Sequence, residues 1–509
     1  MRVLLVYFNR AYDLVPAPPI GLSYVASATR RAGHDVRVLD LLTSARPLDD
    51  LRETVRTFAP EVVGVSVRNI DNVVCQRPEW YLGELGQMLA VVRLESRAKV
   101  VLGGPAISIL GPAALTHLDA DFAVVGEGEH AFPQLLSALE IPRRLDGIEG
   151  LCYRDGDTVR STPPARLPGF GASSMEEWID WPAYEGRGGT WAIQMKRGCP
   201  LTCAYCAYPA IEGHTCRARP AEEVVDEMER VLARVRPRTF EFVDATFNVP
   251  EGHARRICGE ILRRGLKVNL TAMGVNPLGV SDTLFALMRR AGFNSMMITP
   301  EAASEVMLRN LSKGFTVEHV HRTARLARDS GIASAWFFML GGPGETRETV
   351  EETVGFVERH LNWRGCVAIF TTGIRILPGT ELARLAAAAG HPAGTRDLAE
   401  PTFYLSPQVD ESWILDRVSR AIGRCPGVVH AAQEGQSIYQ RLADRALNAL
   451  GVAPPYWRFL PLLLRVPLVP TLRRRYPPVW SSLRDRAGLP GLRGSGPGPQ
   501  APRRPPPPA

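Results

Sequence analysis

The stretch Gly198-Cys199-Pro200-Leu201-Thr202-Cys203-Ala204-Tyr205-Cys206 sets three thiols at C-x3-C-x2-C spacing on one short segment. Thiolates this close in sequence can wrap one corner of a cubane iron–sulfur cluster. A [4Fe–4S] cluster normally takes four cysteines. With three, one iron keeps an open position for a substrate or cofactor. Zinc is the alternative chemistry: it prefers four N or S ligands, commonly as two separated pairs, and His214 with Cys216 could complete such a set.

The thiols need a scaffold that presents them. A run with strand character, Thr190 to Met195, leads into the cysteines, and a polar, helix-like segment from Arg219 follows them. The loop therefore sits at the carboxyl end of a strand, where α/β folds bind ligands. The alternation continues, with strands expected at Trp191–Met195, Phe240–Val243, Lys267–Ala272, Ser295–Thr299, Ala335–Leu340 and Val367–Thr372. Helices such as Glu222–Arg234 and Val317–Asp329 intervene. Six β/α units make a partial, TIM-like barrel, whose active site lies at the carboxyl strand ends. At those ends stand Asp244-Ala245-Thr246-Phe247-Asn248, Glu301, Gly341-Gly342-Pro343-Gly344-Glu345-Thr346 and Leu377-Pro378-Gly379-Thr380. Taken singly, each suits a helix cap or a helix-entry loop as well as a ligand site.

A second α/β pattern precedes the barrel. Strands are expected at Arg2–Phe8, Val36–Asp40, Val62–Val67, Val100–Gly104 and Phe122–Gly126, with helices between them. Continuous apolar runs such as Val3-Leu4-Leu5-Val6-Tyr7 mark buried parallel strands. The result is a Rossmann-like, doubly wound parallel sheet. Its carboxyl-end loops are Arg68-Asn69-Ile70-Asp71-Asn72, Gly103-Gly104-Pro105-Ala106-Ile107-Ser108 and Gly126-Glu127-Gly128-Glu129. Glycines there let a large ligand approach the backbone closely. No G-x-G-x-x-G follows the first strand, so a dinucleotide fold has little support.

The cysteine spacing, with Tyr205 just before the third cysteine, resembles the radical S-adenosylmethionine (SAM) superfamily. Glu301 with the later Leu311-Ser312-Lys313-Gly314, and the Gly341–Thr346 turn, match the family pattern in order. The loops of the first sheet are similar to the cobalamin-binding domain that precedes the cluster domain in one class of these enzymes. A flavodoxin-like domain with another ligand, or none, is the alternative. The resemblance implies that Cys199, Cys203 and Cys206 hold a [4Fe–4S] cluster whose open iron chelates SAM. It implies that Tyr205 packs on the adenine, that Asp244 approaches the SAM amino group, and that Glu301 reaches the ribose or methionine moiety. It further implies a cobalamin lined by Arg68, Asn69, Gly103, Gly104, Ser108, Gly126 and Glu127. The loop Asn9 to Pro19 contains no histidine, so cobalt gains no lower ligand from it, a pattern usual in this class.

The activity implied is C-methylation: a methyl group passes from SAM through methylcobalamin to an unactivated carbon of a natural-product intermediate. Cys206–Gly213 and Arg68–Asn72 are similar to a subgroup that includes the pyrrole C-methyltransferases of aminocoumarin antibiotics. A radical cyclase or ring-rearranging enzyme is the alternative on the same scaffold. A non-catalytic cobalamin-binding sensor is a third reading, disfavoured because a sensor needs no SAM site. The implied partners are a small-molecule substrate, free, carrier-bound or glycosylated, and an electron donor such as flavodoxin or ferredoxin. No general base is legible.

Composition bounds these readings. The chain has 509 residues, 45% hydrophobic and 22% charged, ordinary for a globular protein of two to four domains. A net charge of +7 is small for this length, with 53 acidic residues interspersed, and gives no nucleic-acid signal. Lys99, Lys196, Lys267 and Lys313 are the only lysines, a bias toward arginine that reads as genomic. Nine cysteines form no disulfide-like framework. Neither a secretory signal nor a spanning apolar run is seen. Cytoplasmic location, with at most peripheral membrane contact, is the expectation. The divisions expected are a cobalamin-binding domain (1–150), a linker (151–189), the barrel (190–385), a helical C-terminal region (386–480) and a disordered Pro/Gly/Arg-rich tail (481–509).

Overall fold

The computed structural model describes residues 1–10, 15–141, 144–391, 399–433 and 438–463. The tail expected at 481–509, and residues 464–480, lie outside these.

The first sheet contains β1 (Arg2–Phe8), β2 (Asp35–Asp40), β3 (Val62–Val67), β4 (Lys99–Gly103), β5 (Phe122–Val124), β6 (Leu151–Asp155) and β7 (Thr158–Ser161). Its order is β2-β1-β3-β4-β5-β6-β7, parallel through β5. Val3 to Val6 of β1 are sealed on both faces, as their unbroken apolar run requires. Helices Ile20–Arg31 and Gly128–Glu140 pack together on the sheet, and Pro47–Phe58 packs with Tyr81–Glu95. The order reverses beside β1, so the loop after β3 stands at a topological switch point.

The expected linker begins differently. β6 and β7 are the hairpin turned by Asp155-Gly156, but β6 pairs antiparallel with β5 and extends the first sheet past residue 150. The physical reason is an edge: β5 would otherwise expose unpaired backbone, which the hairpin covers.

The barrel follows. Its labelled elements are β8 (Trp191–Ile193), β9 (Lys196–Arg197), β10 (Arg217–Ala218), β11 (Phe240–Phe242), β12 (Leu270–Ala272), β13 (Ser295–Glu301), β14 (Ala333–Leu340), β15 (Cys366–Thr372), β16 (Ile374–Arg375), β17 (Phe403–Tyr404) and β18 (Val428–His430). Strands β8, β11 and β12 are parallel neighbours, as are β13, β14, β15 and β18. Bridges Leu270↔Phe293 and Val275↔Ile298 join the two groups into one wall. Two small antiparallel pairs, β9–β10 and β16–β17, follow the first and sixth barrel strands.

The six expected barrel strands are present, and a seventh, β18, adds to β15. The region from 386 was expected to be helical; helices Glu411–Arg424 and Ile438–Ala449 are there, but β17 and β18 interrupt it. Val428-Val429-His430 is too short to announce itself in sequence. It forms because β15 offers an unpaired edge. Beyond it, Thr239 donates to the Pro454 carbonyl (2.7 Å) and Arg238 to Asn448 Oδ1 (2.8 Å). The C-terminal segment thus crosses the amino end of the barrel at β11.

Candidate active site

The cysteine loop is held in one path by its backbone. Gly198 has φ +83°, and a Cβ there would stand 2.1 Å from the Thr215 carbonyl oxygen, so only glycine fits before Cys199. The Gly198 N–H donates to Glu212 Oε2 (2.9 Å), and Gln194 Nε2 donates to Glu212 Oε1 (2.7 Å). Cys199 N–H donates to Gly213 O (3.1 Å) and Cys206 N–H to Cys203 O (3.1 Å). Ala204, between the last two cysteines, is clamped from both sides: its N–H donates to Leu311 O (3.0 Å) and its carbonyl accepts from Leu382 N (2.7 Å).

All three thiols are free and lie within electrostatic reach of one another. Burial pushes the Cys206 thiol up to about 11 and raises Cys199 as well, while the Lys313 charge opposes the rise at both. Metal binding requires the thiolate, so a nearby cation favours loading. Among the described residues, no three His, Cys, Asp or Glu side chains gather tightly enough to hold a single metal ion. His214 is exposed and Cys216 is half-buried. A cubane spreads its thiolates over three iron atoms, which suits three cysteines presented on one short loop.

Two lysines beside this loop were not legible as site residues. Lys196 and Lys313 are 1% and 2% exposed. Lys196 Nζ donates to Phe247 O (3.0 Å). Lys313 Nζ donates to the Tyr205 hydroxyl (3.0 Å) and stands 3.8 Å from Glu301 Oε1. The signal was present: two of four lysines, in a chain that otherwise uses arginine, are buried next to the cysteines.

Asp244 is 3% exposed. Its Oδ1 accepts from Met195 N (3.0 Å) and Lys196 N (2.7 Å), which ends β8 two residues before the expected boundary. Its Oδ2 is buried with no partner. Burial raises its carboxyl and the Lys196 charge lowers it. Glu301 closes β13 with φ +66°, a left-handed conformation costly for a glutamate and typical of functional sites. Its carboxyl is raised by burial against the pull of Lys313. Tyr205 is half-buried, with Lys313 at its hydroxyl and 5.4 Å from its ring centroid. Asp244 Oδ2, unpartnered beside the cysteine loop, fits a polar ligand there, and Ser304 Oγ is likewise buried without a partner. In the next strand-end turn, Glu345 Oε2 accepts from Gly341 N (2.7 Å) and Gly342 N (3.1 Å).

On the first sheet, Ser108 Oγ donates to Gly104 O (3.1 Å) and accepts from Gly126 N (3.0 Å), bracing the loops after β4 and β5. Gly104 serves packing: at φ +93° its Cβ would lie 2.7 Å from Val67 O and 2.9 Å from Val67 N. The close approach there is to the chain's own strand. At Gly126 a Cβ would meet Arg166 Nη1 at 2.7 Å. Gly103 is open, with only Val124 O within reach, at 3.9 Å. Arg68 and Asn69 are half-buried. Glu127 is spent on the barrel: Oε2 accepts from Arg197 Nη1 (3.1 Å) and Oε1 from Arg217.

These contacts bring the two carboxyl-end faces together. The helix Pro105–Leu110 packs on the helix Tyr208–Glu212, directly after Cys206. Arg375 donates to Asp71, Gln76 Nε2 donates to Thr372 O (2.9 Å), and a Cβ at Gly373 would touch Cys75 at 3.1 Å.

Residues 193–357 match the radical SAM superfamily, and residues 11–136 match the B12 binding domain. The two segments pair the domains found in a cobalamin-dependent radical SAM enzyme, and the cofactors that go with those domains are a [4Fe–4S] cluster, SAM and cobalamin. It is 28% identical over 354 residues to an uncharacterized methyltransferase of Pyrococcus horikoshii, covering 67% of this chain and 73% of the relative. A tryptophan 2-C-methyltransferase of Streptomyces laurentii is 26% identical over 437 residues, with 72% of each chain covered. An anaerobic magnesium-protoporphyrin IX monomethyl ester cyclase of Cereibacter sphaeroides is 28% identical over 351 residues, 66% of this chain and 55% of that one. The fold is that of the radical SAM methyltransferase TsrM from Kitasatospora setae, with TM-score 0.77 and 23% identity over 91% of this chain and 98% of that one. No helix of the described residues is long and apolar enough to cross a membrane.

Proposed function

We propose that this enzyme is a C-methyltransferase that carries a methyl group from SAM, by way of cobalamin, to a carbon of a small-molecule intermediate. The observation that carries the reading is the interlock of the two carboxyl-end faces through Asp71–Arg375 and Glu127–Arg197. When bound, the cluster supplies the electron that opens SAM, and cobalamin supplies a methyl carrier. Cys199, Cys203 and Cys206 hold the cluster. Asp244 Oδ2 receives the SAM amino group, while Lys313 and Glu301 fix Tyr205 for the adenine. Arg68, Asn69 and Gly103 line the cobalamin, with Ser108, Gly126 and Glu127 holding the loops that surround it. The interdomain contacts exclude water from the space between. An external flavodoxin or ferredoxin supplies electrons.

The narrower form of the reading is a natural-product intermediate of the pyrrole type, on the similarity of Cys206–Gly213 and Arg68–Asn72 to the aminocoumarin enzymes. Cyclisation is the second reading, because two relatives named as cyclases match as strongly in identity, at 28%. SAM carrying an isotope-labelled methyl group tests between them. Methyl transfer expects the label in the product, by mass. Consumption of SAM to 5′-deoxyadenosine with an unlabelled, ring-closed product would overturn it in favour of cyclisation.

A further inference from the structure

The barrel interior has two unlike walls. In β14, Trp336, Phe338 and Leu340 belong to the outer core, so Ala335 and Phe337 face inward. In β15, Cys366, Ala368 and Phe370 pack outward, and Val367 and Ile369 face inward. These inward residues form a separate apolar cluster with Met297 of β13, Val74 of the loop after β3, and Trp457 of the C-terminal segment. Phe337 and Met297 are only half-buried, so the wall is not sealed by protein.

The wall across the barrel is polar. Phe240, Phe242, Leu270 and Ala272 pack outward, which turns Glu241 of β11 and its register partner Thr271 of β12 inward. Glu241 is 8% exposed; Oε2 accepts from the Thr190 hydroxyl, and Oε1 makes no hydrogen bond among the described residues. Thr271 Oγ1 is buried with no partner. Arg68, from the loop assigned to cobalamin, is within electrostatic reach of Glu241.

We infer that this interior is the substrate pocket and takes a flat heteroaromatic ring with a ring N–H, its face on Phe337, Met297 and Ile369 and its N–H donating to Glu241. The inference rests on the reading that substrate lies between SAM and cobalamin. A Phe and a Met side by side favour a ring face through aromatic and sulfur–aromatic contacts. Once a bound ring covers it, a carboxylate oxygen left without a donor is costly, so a ligand without the N–H is rejected.

The test is calorimetric binding to the full-length protein reconstituted with cluster and cobalamin, with indole, 1-methylindole and cyclohexanol as probes. Indole should bind saturably, and 1-methylindole and cyclohexanol at least about tenfold more weakly. Glu241→Met should bring indole and 1-methylindole within about threefold of each other, and Glu241→Gln, which keeps an acceptor, should restore part of the preference. Phe337→Ala should weaken both indoles. Absence of saturable indole binding, equal binding of cyclohexanol, or an unchanged indole preference in Glu241→Met would each overturn the assignment. If the Glu241 variants do not fold, discrimination among the three probes by the unaltered protein decides. No turnover is needed, so failure of label transfer refutes methylation alone, and failure here refutes the pocket alone.

Discussion

Asp71, in the loop after β3, and Arg375, in β16, form an ion pair at 2.6 Å with side chains 2% and 3% exposed. They lie 304 residues apart in sequence, Asp71 following a strand of the first sheet and Arg375 standing in the small β16–β17 pair. The pair joins the carboxyl end of the first sheet to that of the barrel, and Arg375 Nη1 also donates to Ile376 O (2.6 Å).

Breaking that pair strands a buried charge, which typically costs about 3–5 kcal/mol. Asp71→Ala and Arg375→Ala should each lower stability by about 3 kcal/mol in urea unfolding. The double variant Asp71→Leu/Arg375→Met should be milder than either, because no charge is left alone. A double variant worse than the two singles would show that the pair is not what holds the loop.

The cysteines predict a loss of function with the fold retained. Alanine at Cys199, Cys203 or Cys206 should abolish cluster absorbance after anaerobic reconstitution and, with it, SAM cleavage. Cleavage that survives in the triple variant would refute the site. Alanine at Cys258, sealed in the core, should leave the cluster spectrum intact.

Gly103 and Gly104 are neighbours with opposite expectations. Gly104→Ala drives a Cβ into the Val67 backbone and should lower the melting temperature whether or not cobalamin is present. Gly103→Val projects into open space and should cut cobalamin retention, read by absorbance after desalting, with the melting temperature unchanged. Full retention in Gly103→Val would count against the cobalamin placement.

Glu345 makes stability depend on pH. Burial raises its carboxyl from 4.5 to about 7. The folded state therefore binds the extra proton between those values, and Glu345's contribution to stability is fully present below about pH 4.5 and is lost as pH rises toward 7. The shift corresponds to about 3 kcal/mol. Glu345→Gln keeps an acceptor for Gly341 and Gly342 but does not titrate. Relative to the unaltered protein it should gain about that amount between pH 4.5 and pH 8 in denaturant melts. A difference that stays flat with pH would mean that Glu345 ionises as freely in the fold as in solution.

Much of the candidate site was legible because it is local. The C-x3-C-x2-C loop, Tyr205 and the Gly341–Thr346 turn are read within a few residues. The structure holds them where strand ends place them. Lys196 and Lys313 escaped because a lysine normally lies in solvent, and nothing nearby in sequence says that either is buried. Glu127 stands in a loop that the resemblance gives to cobalamin. Its partners, Arg197 and Arg217, come from the other half of the molecule.

The sequence by itself determined the alternation of strands and helices and the thiol spacing, because both are written in short-range periods: runs of buried apolar residues and turns closed over a few positions. Only the tertiary structure decided that a hairpin caps β5, that β18 adds to β15, and that Gly104 yields to Val67. It also decided that Glu241 and Thr271, both buried, stand side by side as register partners. Each of these depends on an edge, a close approach or a facing surface supplied by distant chain, and no local pattern encodes which edge remains open or which charge will be met there.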